Sequence, residues 1–154
     1  MASTHTTPPV KVFIDSSVLI AAAISLRGSA RELLNAGILG NYQIVLSQLV
    51  LTESERNIVR KAPAALPLFQ FFAETLAPGI VRPSREHVLA VAQVVEVKDA
   101  PIVAGAMEAG AIYLATYDQQ HLLRCAERIR AAFGIIVATP ADIIRLTAGE
   151  MGRQ

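Results

Sequence analysis

Of the 13 acidic residues in this chain only four are aspartates: Asp15, Asp99, Asp118 and Asp142. Asp15 and Asp118 each stop a short apolar run, Val-Lys-Val-Phe-Ile before the first and Ala-Ile-Tyr-Leu-Ala shortly before the second. Neighbouring strands lie about 4.8 Å apart, so two carboxylates at one sheet edge repel each other unless a cation sits between them. A divalent-metal site is the economical chemistry for such a pair. Each Asp is also a favoured helix N-cap worth ~1 kcal/mol, so neither carries the inference alone.

Asp99 precedes Ala100-Pro101-Ile102, and a proline in the first helical turn gives Asp99 the look of a third N-cap carboxylate. Glu53 and Glu55 compete for a fourth place. At about 100° per residue, Leu51, Ile58 and Ala62 share a face that Glu55 borders and Glu53 avoids, which leaves Glu53 freer to face a cleft. The plain alternative for Glu53 is an exposed pair with Arg56 at i+3. Asp142 lies in the first turn of the last helix, where a carboxylate simply suits the helix dipole, and is set aside. His5, His87 and His121 show no paired ligand spacing, and the single Cys125 lies in an apolar stretch, so a structural zinc site is not expected. There is no Gly-rich phosphate loop, nucleophile elbow or dinucleotide fingerprint.

These residues need elements to position them. Residues 10–14 read as a β-branched strand, followed by helices over 18–24 and 30–39, a strand over 43–46 and a helix capped by Ser47 that runs to about Lys61. Pro63 and Pro67 bracket a linker before a short helix over 68–76, which ends at Pro78-Gly79. A weak strand at 80–81 and a helix capped by Ser84 follow. A small-residue helix over 99–109 is closed by Gly110, and the clearest strand in the chain covers 111–115. The spacing then predicts a helix over 119–133, a last strand over 134–137 and a final helix opened by Thr139-Pro140. Strands alternating with helices imply a parallel sheet covered on both faces with right-handed crossovers.

Composition sets the outer bounds. The 154 residues suit one domain, and 53% hydrophobic against 18% charged residues excludes disorder and a solvated coiled coil. No apolar run reaches the ~18 residues of a membrane span. The start of the chain lacks a basic, apolar signal segment, and a lone cysteine forms no internal disulfide; together they suggest a reducing cytoplasm. A net charge of +1 gives no bulk argument for nucleic acid. Local clusters do: Arg27 and Arg31, Arg56 and Arg60, and Arg124 and Arg128 are each spaced i,i+4, as basic stripes on three helices that would attract a polyanion, although ordinary solvated faces explain any one pair equally well.

In order along the chain, Val-Phe-Ile-Asp15-Ser-Ser-Val-Leu, Ser47 with Glu53 six residues on, Lys-Asp99-Ala-Pro-Ile-Val-Ala-Gly-Ala and Thr116-Tyr-Asp118-Gln-Gln-His resemble the four acidic motifs of the PIN domain family of metal-dependent ribonucleases. The similarity runs from Val10 to about Leu146. It implies a three-layer α/β/α sandwich with a five-stranded parallel sheet, one domain over 10–148 between a flexible tail at 1–9 and a C-terminal tail at 149–154. It further implies that Asp15, Glu53, Asp99 and Asp118 form a catalytic cluster holding Mg²⁺ or Mn²⁺, with Ser16 and Thr116 in support, and it favours Glu53 over Glu55. Many family members have another acid where this chain has Gln120, which weakens a second metal site. The resemblance implies an endoribonuclease acting on single-stranded or structured RNA, the toxin of a toxin–antitoxin pair, with an antitoxin protein as partner. The rival within the same fold is a non-catalytic RNA- or protein-binding module. A phospho-acceptor receiver domain would need an acidic pair after the first strand and a Lys after the last, where Ser16-Ser17 and Ala138-Thr139 stand. The aromatic helix with Phe69, Phe71 and Phe72 suggests homodimerisation or partner docking, with burial inside the monomer as the equal alternative.

Overall fold

A computed structural model describes residues 8–151. Strand β1 (Val10–Ile14) leads through α1 (Ser16–Ile24) and α2 (Ser29–Ile38) to β2 (Tyr42–Ser47); α3 (Gln48–Lys61) and α4 (Leu66–Leu76) lead on to β3 (Ile80–Val81). Helices α5 (Arg85–Val91) and α6 (Ala100–Ala109) precede β4 (Tyr113–Ala115), α7 (Ala126–Phe133) precedes β5 (Ile136–Ala138), and α8 (Pro140–Met151) ends the described chain.

All strand pairings are parallel, in the order β3-β2-β1-β4-β5. Starting from the central β1, the chain first moves outward to β2 and β3, then crosses back over the sheet to β4 and β5. Right-handed crossovers in opposite directions put their helices on opposite faces, α1–α4 on one and α5–α7 on the other. The result is a three-layer α/β/α sandwich. Burial on both faces explains why β1 reads as an almost continuous apolar run: Val12, Phe13 and Ile14 are all fully buried.

The small-residue sequence of α6 has a packing reason. A Cβ on Gly105 would lie 2.9 Å from the Phe13 ring, so only glycine lets this helix approach β1 so closely. Ala100, Val103, Ala104 and Ala106 are buried beside it. This close seat brings the N-terminal end of α6, and Asp99 with it, up to the sheet.

Three local expectations change. Residues 119–125 form a series of turns and the helix begins only at Ala126; the Asp118 carbonyl accepts from Leu123 N and that of His121 from Cys125 N, so helical bonds begin without a continuous ladder. Residues 63–67 are not an extended linker: a 3₁₀ turn covers Pro63–Ala65, and α4 starts at Leu66 with Pro67 in its first turn, where the missing N–H costs nothing. Helix α8 runs to Met151, through residues 149–151 where a tail was expected. Residues 1–7 of the expected N-terminal tail and residues 152–154 lie outside the described residues.

Candidate functional site

The sheet order reverses between β1 and β4, where adjacent strands send their crossovers in opposite directions and a crevice opens beyond their carboxyl ends. Asp15 follows β1 and Thr116 follows β4. The two chain ends are bonded to the sheet and to each other: Asp15 N donates to the Ala115 carbonyl (3.2 Å) and Thr116 N to that of Ala138 (3.0 Å).

Asp15 is 5% exposed and its carboxylate is clamped from two sides. Oδ1 accepts from Ser17 Oγ (2.6 Å) and from Val18 N (3.2 Å), so the residue does cap α1. Oδ2 accepts from the Thr116 hydroxyl. Each of these hydroxyls also serves the opposite strand end: Ser17 Oγ accepts from Tyr117 N (3.0 Å) and Thr116 Oγ1 from Asp118 N (3.0 Å). Two side-chain hydroxyls therefore tie the Asp15 carboxylate to the 116–118 segment. The serine bonded to Asp15 is Ser17; Ser16, the serine expected in support, is half-buried and makes no side-chain hydrogen bond among the described residues.

Burial pushes the Asp15 carboxyl above its ordinary value; the bonds from Ser17, Thr116 and Val18 pull it back and the nearby Asp118 charge raises it again. Asp99 is the N-terminal flanking residue of α6, as its spacing with Pro101 suggests, but its side chain makes no capping hydrogen bond. Its carboxyl is raised by desolvation. Lys98 and His121 oppose that rise, and the charges of Asp118 and Glu96 add to it. Asp118 is thus the electrostatic neighbour of both Asp15 and Asp99. Its Oδ1 accepts from His121 N (3.1 Å) and faces His121 Nδ1 at 3.2 Å, while Lys98 Nζ lies 2.9 Å from Nε2 of the same ring. The ring thus turns Nδ1 toward Asp118 and Nε2 toward Lys98.

Glu53 is half-buried and Glu55 is exposed, the reverse of what the helix wheel implies, because the buried face of α3 is Val50, Ser54 and Ile58 and not Leu51, Ile58 and Ala62. Glu53 perturbs neither Asp15 nor Asp99. Asp142 is paired with Arg145 (2.5 Å) in the first turn of α8. Of the basic stripes, Arg31 turns inward: Nε donates to the Ala22 carbonyl (2.5 Å), and the guanidinium lies 5.9 Å from the Phe72 ring centroid. Arg27 and Arg31 border a cavity of about 570 Å³ along α2 that holds none of the four carboxylates. Arg60 bonds Asn57 (3.2 Å), and Arg56 is exposed. Arg124 and Arg128 line a different cavity, of about 420 Å³, whose wall includes Asp99, Gln120 and His121.

Three residues here escape sequence reasoning. His121 lacks a paired ligand in the sequence, although its i+3 spacing from Asp118 is a usable signal. Lys98 is visible only as the neighbour of Asp99, and Ser17 only as the neighbour of Ser16.

The donor set suits a hard divalent cation: carboxylate oxygens at one sheet edge whose charges disfavour one another. Among the described residues no three Asp, Glu, His or Cys side chains group closely enough to hold an ion by themselves. Mg²⁺ needs less than that, being held typically by one or two carboxylates together with waters and substrate phosphate.

Fold and site together define a doubly wound parallel α/β protein with acidic residues at its topological switch point. Solved structures with this architecture include VapBC2 from Rickettsia felis bound to a DNA fragment from its promoter, with a TM-score of 0.60 at 15% identity over 84% of this chain and 98% of that one. Another is PAE2754 from Pyrobaculum aerophilum, with a TM-score of 0.57 at 17% identity over 95% and 96%. The fold is the PIN-domain fold. No family model matches the sequence, and no curated protein matches it.

Proposed function

We propose that the chain is a Mg²⁺- or Mn²⁺-dependent endoribonuclease. One observation carries this most directly: a buried carboxylate, Asp15, is clamped by two hydroxyls to the loop bearing Asp118, at the sheet position where ligands of this architecture bind. Asp15 and Asp118 would hold the ion, with Asp99 and Glu53 completing its surroundings through water or by direct contact. Bound there, a divalent ion supplies an activated water and stabilises the charge developing on a scissile phosphate.

The chain's own residues prepare that chemistry. Thr116 and Ser17 fix the Asp15 oxygens in one orientation, so their rearrangement does not have to accompany substrate binding. His121 bonds the Asp118 carboxylate, and Lys98 brings a cation against the same ring. Asp99, left free of any capping duty, is available to orient water. The likeness to VapBC2, together with the fold, supports the more specific role of toxin in a toxin–antitoxin pair, with a protein antitoxin as partner.

A non-catalytic module on the same fold is favoured by one observation, the lack of a closed group of three protein ligands among the described residues. Calorimetric titration of Mn²⁺ into the wild type, Asp15→Asn and Asp118→Asn separates the two. The nuclease predicts saturable binding that either substitution abolishes or weakens at least tenfold. Absence of saturable binding to the wild type would leave only the binding module.

A further inference from the structure

The six arginines spaced as helical pairs are not equivalent in the folded molecule. Arg31 is committed to the end of α1, and Arg56 and Arg60 border none of the cavities described above. Arg124 and Arg128 alone share a cavity with a site carboxylate. That cavity, about 420 Å³, is lined among others by Glu96, Asp99, Gln120, His121, Arg124 and Arg128. Neither arginine has a carboxylate partner among the described residues; the one hydrogen bond of Arg128 is to Cys125 Sγ at 3.1 Å, and both arginines are exposed. Arg124 sits in the turn before α7 and Arg128 in its first turns. Because Cys125 N bonds the His121 carbonyl and Ile129 N that of Cys125, helical spacing is kept across the junction.

We infer that Arg124 and Arg128 form a phosphate subsite that holds the backbone of a single-stranded nucleic acid beside the Asp15–Asp118 centre, in the cavity that Asp99 also lines. The inference rests on the nuclease proposed above and identifies where its substrate is gripped. A guanidinium matches a phosphodiester through two parallel N–H donors, and an unpaired, exposed arginine gives up no ion pair to do so. The carboxylates of the same cavity have the reverse effect: Glu96 and Asp99 repel a phosphate and so leave the arginines as its contact, unless a cation intervenes. The cavity thereby offers a nucleic-acid backbone a metal-dependent end at the carboxylates and a metal-independent end at the arginines.

The metal-independent end can be tested without cleavage. Fluorescence anisotropy in EDTA would follow binding of a labelled single-stranded oligoribonucleotide, and of the oligodeoxyribonucleotide of the same sequence, across a KCl series. The Arg124→Ala/Arg128→Ala protein should bind both about tenfold or more weakly. The magnitude of its log–log salt slope should fall by about 0.7 for each phosphate that the arginines no longer neutralise. Arg145→Ala, which removes one positive charge on α8, should change neither quantity. Equal melting temperatures of the double variant and the wild type would exclude misfolding as the cause of any weakening. Unchanged affinity and slope in the double variant would overturn the subsite while leaving the nuclease standing. A loss confined to RNA would overturn the phosphate assignment in favour of sugar or base recognition. Failure of the wild type to bind either oligonucleotide in EDTA at any salt would overturn the subsite, while the nuclease falls only if the Mn²⁺ titration shows no saturable binding.

Discussion

Asp15 performs two jobs that pull in opposite directions. As the N-cap of α1 its carboxylate stabilises the helix, while as a buried charge near Asp118 it is disfavoured, and burial is the larger effect on its carboxyl. A raised folded value means that the native state binds the proton more tightly than the unfolded chain. Its stabilising contribution in metal-free protein is therefore present below the ordinary carboxylate value of about 4 and is lost as pH rises through the raised value. In EDTA, the difference in melting temperature between wild type and Asp15→Asn should move in favour of Asn as pH rises from about 4 to 7. At pH 7 Asp15→Asn should melt at the same temperature or higher, whereas Asp15→Ala, which also removes the cap, should cost ~1 kcal/mol. A fall of many degrees in Asp15→Asn would mean that the charge-assisted bonds from Ser17 and Val18 outweigh the cost of burial. Thr116→Val removes the hydroxyl that serves both Asp15 and Asp118 N, so denaturant melts should show a loss of about 1–3 kcal/mol that Thr116→Ser largely restores. The aspartates are legible in the sequence because strand ends and helix starts are local features. The hydroxyl clamp is not, because Ser17 and Thr116 meet only after strands some hundred positions apart have paired.

At the scale of elements, helix α6 decides where Asp99 stands, and Gly105 decides where α6 stands. Gly105→Ala would place a methyl group 2.9 Å from the Phe13 ring, in a core with no slack between that helix and β1. We expect a loss of about 1–3 kcal/mol in denaturant melts, together with reduced nuclease activity as the α6 N-terminus is lifted from the sheet. Wild-type stability in this variant would show that Phe13 can swing aside. Most elements are legible from their periodicity, since strands buried on both faces and small-residue helices leave strong patterns. The segment 119–125 has the sequence pattern of a helix because Leu122, Leu123 and Ile129 recur at helical spacing. Asp118 instead accepts from His121 N and draws the chain into turns, a competition between side chain and backbone that spacing does not reveal. The run of phenylalanines suggests an interface, yet Phe69 and Phe72, at 2% and 1% exposure, belong to the monomer core, and Phe71 alone, at 52%, faces outward from that helix. A homodimer through this helix would therefore rest on Phe71 and its exposed neighbours. If such a dimer forms, Phe71→Ala should convert it to monomer in light scattering at micromolar concentration.

For the whole molecule, the strand order matters more than any single motif. Moving outward from β1 in both directions creates one place where carboxylates from distant parts of the chain can meet, and the sequence puts Asp15 and Thr116–Asp118 at that place. The parallel α/β class is legible in the sequence, but the position of the reversal is not, since strand order depends on which crossovers pass over which face. Among the described residues no helix is long and apolar enough to cross a membrane. The central claim is that the switch-point carboxylates form a metal-dependent RNA-cleaving centre, and a gel assay on several single-stranded and looped RNAs tests it most directly. The expected result is cleavage with Mg²⁺ or Mn²⁺ that stops on adding EDTA. Asp99→Asn should lose about a hundredfold in rate or more, a loss of ~3 kcal/mol in transition-state stabilisation. Asp142→Asn, whose carboxylate is paired with Arg145 on α8, should cleave like the wild type. Cleavage that persists in EDTA, or that is equal in Asp99→Asn and the wild type, would contradict the account.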